Sequence, residues 1–222
     1  KLLFALSAAV MLLAAAPILS VSADSVGYYS PTKATSNGPG WTNPIYSFAS
    51  DNLYATARKN NRHLKLSSFN IPAIPGGAVI NGIEVTVEGF TTGTQAAVAL
   101  SAGSSFTTPK STTFTSTEST LTLGGPTDAW GKTWSATDFQ NKFTVKLTAA
   151  ATLGLLSVDH VQVKVYYTPP NTTLVLNPVF GDYGSTTTMT ARLTETATQA
   201  ALSGKTVNFT LNGASVGSDI TD

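Results

Sequence analysis

Cysteine is absent from the 222 residues. That excludes disulfides, thiol catalysis and cysteine-based zinc sites. Charge is scarce as well. Asp, Glu, Lys and Arg make up 11% of the chain, against about 25% in typical globular proteins. With Lys1 set aside, 12 basic side chains balance 12 acidic ones, so no overall excess draws the chain to nucleic acid or anionic lipid. Histidine occurs only twice, which limits general-base chemistry. Disorder of the charged kind is excluded, because 42% of the residues are hydrophobic. After residue 23 no segment sustains apolar spacing at i, i+3 and i+4, so long packed helices are not expected.

The one long apolar run is at the N-terminus. Leu2 to Ala16 is broken only by Ser7, Pro17 follows, and Val21-Ser22-Ala23 supplies small residues before Asp24. The run is shorter than the roughly 20 residues a bilayer needs, and no Lys or Arg follows until Lys33. This predicts a signal helix and cleaved signal peptide over residues 1–23, a mature start at Asp24, and no stable membrane insertion afterwards. The expected location is outside the cytoplasm, secreted or on the cell surface.

Residues 24–168 read as an all-β domain. In Val79–Phe90, Ile83, Val85 and Val87 alternate with Glu84, Thr86 and Glu88. Phe143, Val145 and Leu147 repeat the pattern, as do Val161, Val163, Val165 and Tyr167. Period-two alternation marks half-buried strands. Shorter strands are expected at 53–57, 63–69, 96–101, 111–115 and 119–123, with turn clusters at 71–77 and 124–128. Many short strands with regular turns make a sandwich or barrel. Thr133–Asn141 predicts a single helical turn, with Ser135 and Asp138 at capping spacing. Residues 169–171 form a Pro-rich linker, and two prolines favour a stiff, extended join. Residues 172–222 show three or four further strands. An immunoglobulin-type sandwich takes about seven strands and about 100 residues. The expectation is therefore an incomplete sandwich and a longer reading frame.

Catalytic arrangements are thin. His63 and His160 both sit in alternating strands, which is where surface histidines occur, and no Gly-x-Ser-x-Gly elbow is present. Glu84 and Glu88 share a strand face but lie about 13 Å apart along the strand, too far for an acid–nucleophile pair. A non-enzyme is expected. Oxygen donors at strand ends make calcium the metal to consider: Asp51, Asn52 and Asp159 are the candidate ligands, and ordinary turn chemistry is the rival. Trp41, Trp130 and Trp134 all lie in loop-like sequence. Exposed rings would stack on sugar faces, with Asn43, Asp128 and Asp138 holding hydroxyls. Alternatively, the rings plug the sandwich.

Two resemblances extend this reading. TTLVLNP, YG, LSGKTVNFTLNG and VGS…TD, within residues 172–222, resemble bacterial Ig-like repeat domains, which occur in tandem on exported and cell-surface proteins. GWTNP, SDNLYATA, INGIEVTVEG, GGPTDAWGKTW and VDHVQVKVYYT, within 24–168, resemble a β-sandwich module of bacterial exported and phage-tail-like proteins. That resemblance implies a jelly-roll-like fold. Together they imply a non-catalytic head on a stalk of Ig-like repeats, acting in adhesion or display. The alternative is a glycan-binding accessory region of a secreted polysaccharide-active enzyme. The partner would be an extracellular glycan or a surface protein.

Overall fold

The computed structural model describes residues 23–38, 40–58, 62–92, 95–149, 154–181, 184 and 186–222. The signal peptide expected over residues 1–23 lies outside the described residues, apart from Ala23. The chain divides into two compact units, Ser22–Pro169 and one containing Pro170–Asp222.

The first unit is a β-sandwich of eleven strands: β1 (Asp24–Tyr29), β2 (Lys33–Ser36), β3 (Trp41–Thr42), β4 (Ala55–Ala57), β5 (Arg62–Ser67), β6 (Val79–Thr91), β7 (Gln95–Ala102), β8 (Lys110–Thr113), β9 (Ser119–Gly124), β10 (Phe143–Ala149) and β11 (Leu156–Thr168). One sheet runs β3-β4-β11-β6-β9, with β1 also on β11; the other runs β2-β5-β10-β7-β8. Every pairing is antiparallel. The chain changes sheet at each step from β4 to β7 and again from β8 to β11. That alternation is the jelly-roll connection, which spreads consecutive strands over two facing sheets.

The alternation seen in the sequence builds the core. Ile83, Val85, Val87, Val161, Val163 and Val165 of the first sheet are fully buried, with Leu64, Leu66, Val98, Leu100, Val145 and Leu147 of the second. Each such side chain contributes about 1.5–3 kcal/mol. The sequence pattern located β4 to β11 but not β1, β2 or β3. Those three are short, and edge pairing rather than strong alternation defines them. The expected helical turn is Asp138–Asn141. Half of the anticipated capping box is present: the Ser135 N–H donates to the Asp138 carboxylate at 2.9 Å.

One irregularity shapes the site. The β11–β6 register pairs Val158 with Gly89 and His160 with Glu88, leaving Asp159 as an extra residue. A bulge of this kind re-aims a side chain out of the regular alternation. Gly89 sits opposite, where a Cβ would lie 2.2 Å from the Ser157 carbonyl oxygen.

In the second unit β12 (Thr172–Leu176) pairs with β13 (Ala191–Glu195), and β14 (Thr206–Leu211) pairs with β15 (Ala214–Ile220). Asn212 and Gly213 both have positive φ, as the two central residues of a type I′ hairpin turn must. Period-two alternation of the sequence runs from Thr186 to Glu195, but the strand itself begins at Ala191. Phe180 is 72% exposed and Ile220 65%, so this unit buries its apolar groups far less completely than the first.

Candidate functional site

The residues nominated for stacking do not form an open platform. Trp41, Trp130 and Trp134 are each at most 5% exposed and belong to the core. Their indole N–H groups donate to the Arg62, Ile83 and Ala129 carbonyls at 3.1, 2.8 and 2.8 Å. Trp134 packs against the paired rings of Phe139 and Phe143, with the Lys132 ammonium 4.4 Å from its ring centre. An indole satisfies its single donor and buries its rings best inside a sandwich, so the plug reading describes all three. Asp128, half-exposed, supports Trp130. It accepts the Trp130 N–H at 2.9 Å and pairs with Lys110 at 2.9 Å. The Lys110 hydrogen bond holds its carboxyl below the usual range. Asn43 takes a left-handed conformation and begins the 3-10 turn Pro44–Ser47.

The outer face of the first sheet carries the polar and aromatic groups that remain. Register places Thr122, Thr86 and Gln162 in one row, and Glu84 opposite Lys164 in the next. The Tyr28 and Tyr166 hydroxyls both donate to Glu84, the latter at 3.0 Å. The Lys164 ammonium lies 5.4 and 4.9 Å from the two ring centres. Donation to Glu84 pushes the Tyr28 phenol up to about 12. Tyr28 is nonetheless 46% exposed. The result is an open ring, at an irregularity of β1, beside a carboxylate and an ammonium, with the Gln162 amide in the next row. For Glu84, Gln162, Lys164 and Tyr166 the sequence signal was the outward half of the alternation, which core-seeking rules discard; Tyr28, in β1, had no such signal.

Further along the same face, Glu88, Glu118 and Asp159 bring carboxylate oxygens within 4.8 Å of one another. The bulge places Asp159 there, and it is 1% exposed. Asp159 accepts the backbone N–H groups of Asp51 and Asn52 at 3.3 and 3.2 Å. Tyr54 donates to Glu118 at 3.2 Å and Asn52 Oδ1 at 3.4 Å. Burial, then this bond to Glu118, raises the Tyr54 phenol. Of the three expected calcium ligands, only Asp159 contributes a carboxylate to the cluster. Asp51 turns its own to the Leu53 N–H at 3.0 Å. Glu118 was not nominated, and nothing in its local sequence marks it. The donor set fits a hard cation: three carboxylates converge, and Glu118 Oε1 is buried without a hydrogen-bond partner.

His160 stands beside this cluster, its Nε2 2.8 Å from Ser30 Oγ. Burial lowers its basicity, against the opposing pull of Glu88, Asp159 and Asp51. A base with a depressed folded-state value contributes stability that is complete above about pH 6.5 and is lost as the pH falls toward that value, because the unfolded chain then takes up the proton first. His63 shifts the same way. Urea midpoints should fall between neutral pH and about pH 5, and fall less in His160→Gln. Equal losses in parent and variant would remove His160 from the acid response.

No protein-family model matches the chain, and no curated protein matches it. Solved structures do. The family 32 carbohydrate-binding module of C. perfringens NanJ, solved with galactose, matches at 11% identity and a TM-score of 0.37, over 62% of this chain and 99% of that one. A xylan-binding family 22 module from Paenibacillus barcinonensis Xyn10C matches at 9% and 0.37, over 66% and 97%. Truncated AlyQ, which joins a family 32 module to an alginate lyase domain, matches at 10% and 0.36, over 68% of this chain but 35% of that one. At such identities and scores ligands do not transfer, so the functional reading stands on the residues described above. Among the described residues, no helix is long and apolar enough to cross a membrane.

Proposed function

We propose that Ser22–Pro169 is a non-catalytic glycan-binding module of an exported protein, and that the outer face of its first sheet holds the sugar. The observation that carries this is the cluster of Tyr28, Tyr166, Glu84 and Lys164, beside Gln162. An exposed ring takes the apolar face of a pyranose, and fixed carboxylate, ammonium and amide groups take its hydroxyls. Glu84 and Glu88 stand about 13 Å apart along β6, which does not suit paired acid catalysis. The apolar leader at residues 1–23 supports export. Tyr28→Ala and Glu84→Ala should each weaken retention on neutral xylan or galactan at least about tenfold, or about 1.4 kcal/mol. Melting temperature should change little in Tyr28→Ala, since the ring is exposed. Unchanged retention in both variants, or none by the parent, overturns the reading.

A calcium ion among Glu88, Glu118 and Asp159 would serve this module structurally by offsetting the repulsion of three adjacent carboxylates. Saturating calcium should then stabilise the chain by about 2.7 kcal/mol at a hundred times the dissociation constant, and chelator should reverse it. An identical melting temperature with calcium and with chelator overturns this.

The di-proline join and the hairpins of Pro170–Asp222 support a second reading, in which Ig-like repeats display the module at a cell surface. Protease treatment of intact expressing cells tests it. Full protection of residues 172–222 would sink it.

A further inference from the structure

The second sheet differs from the first in charge. Its five strands contain no Asp or Glu, whereas those of the first contain Asp24, Glu84, Glu88 and Asp159. Three lysines of the second sheet share its outward register. Lys65 on β5 lies directly opposite Lys146 on β10, and Lys33 on β2 is diagonal to Lys65 through the pair Thr35–Lys65. Direct neighbours of this kind have Cβ atoms about 4.5–5.5 Å apart, and diagonal ones about 7–8 Å.

Like charges directly opposite on a sheet destabilise it. Here nothing neutralises them: among the described residues, no carboxylate lies within ion-pair distance of Lys33, Lys65 or Lys146. Instead, both Lys65 and Lys146 rest over one ring, Phe106, with ammonium groups 5.6 and 4.2 Å from its centre. The ring is held in place by a bridge to Ser101 and by paired bonds between Thr107 and Leu100. His63, joined to Thr148 at 3.0 Å, borders the lysines. Its basicity is lowered by burial first, then by Lys146 and Lys65. The ring offsets part of the repulsion but leaves the net positive charge of the face in place, and charge kept together in this way marks a place where the sequence serves something other than folding.

We propose that this face binds an anionic polysaccharide, a glycan chain bearing carboxylate or sulfate groups, with Lys33, Lys65 and Lys146 as the cationic contacts. Rows of Thr35, Ser67, Thr144 and Thr148 on the same register offer hydroxyls between the charges. The face carries no arginine: Arg62 has the register of buried Ala149. Its one aromatic already lies under two ammonium groups. Single-stranded nucleic acid would call for open stacking rings and arginine, and neither is offered. This site is on the opposite sheet from Tyr28 and Glu84, so it stands or falls separately from the neutral-sugar site.

The test uses the full chain with dextran sulfate, neutral dextran, oligodeoxythymidylate and polyglutamate as probes. Dextran sulfate should bind with affinity that falls as salt rises, and neutral dextran should not compete for this face. Lys65→Gln with Lys146→Gln should weaken dextran sulfate binding at least about tenfold with little change in melting temperature, because the repulsion removed and the two contacts with Phe106 lost oppose each other. An equal loss of charge on the first sheet, Lys164→Gln on β11 with Arg58→Gln directly after β4, should weaken it far less, and Tyr28→Ala should leave it unchanged. Equal binding by the lysine variant and the parent overturns the proposal. So does tighter binding of oligodeoxythymidylate or polyglutamate than of dextran sulfate.

Discussion

Trp130→Ala should destabilise the sandwich by about 3–5 kcal/mol, the range for removing a large buried aromatic. At about 3 °C per kcal/mol for a unit of this size, the melting temperature should drop by roughly 10–15 °C. Several contacts are lost together. The ring is 3% exposed, its N–H donates to the Ile83 carbonyl at 2.8 Å, and the Lys110 ammonium sits 5.1 Å from its centre. The residue also holds φ at 57°, a left-handed conformation stabilised locally by the Asp128 carboxylate. Alanine keeps that unfavourable backbone and none of the packing. Trp130→Phe retains an aromatic ring and removes one of the two donors to the Ile83 carbonyl, which keeps the Gly125 N–H at 3.1 Å, so it should cost only about 0.5–1.5 kcal/mol. Thermal melting of the two variants checks both values. A drop of only a few degrees for Trp130→Ala would show that the sandwich closes without this ring.

Gly89→Ala should cost about 3 kcal/mol, the upper end for forcing extra volume into a packed interior. The added Cβ would meet the Ser157 carbonyl oxygen at 2.2 Å and Val158 Cα at 3.1 Å. Both are backbone atoms of β11, so no side chain can swing away. The clash falls at the bulge that presents Asp159. The variant should therefore also lose most of any stabilisation by calcium. Gly76→Ala provides the contrast, since nothing lies within 4 Å of the place its Cβ would take, and it should be neutral or stabilising by up to about 1 kcal/mol. Similar melting temperatures for the two alanine variants would show that β11 can shift to admit a methyl group at Gly89.

Of the two roles the sequence left open for the tryptophans, platform or plug, their burial supports the plug, and there is a general reason that sequence does not choose between them. Glycine, proline and aspartate around a tryptophan predict a loop, but they do not predict which way the loop folds. In 124–134 the turn bends inward, and Asp128 is used to fix Trp130 and Lys110. Exposed Tyr28 and half-buried Tyr166 sit in strands. Alternation marks Tyr166 only as outward-facing, and β1 has too little of it to mark Tyr28 at all.

The sequence by itself determined the all-β class, the approximate positions of β4 to β11, and which side of β6, β10 and β11 faces the core, because a two-residue period is a property of the chain alone. The scarcity of histidine and the spacing of Glu84 and Glu88 also argued against hydrolytic chemistry without reference to any fold. Tertiary structure alone decided the rest. Register between β5 and β10 set Lys65 against Lys146, though 81 positions of chain order separate them. A one-residue bulge moved Asp159 out of alternation and toward Glu88 and Glu118. Jelly-roll connection sent acidic strands to one sheet and basic strands to the other. Each of these depends on pairing between segments distant in the chain, and local periodicity carries no information about which strand a given strand will meet.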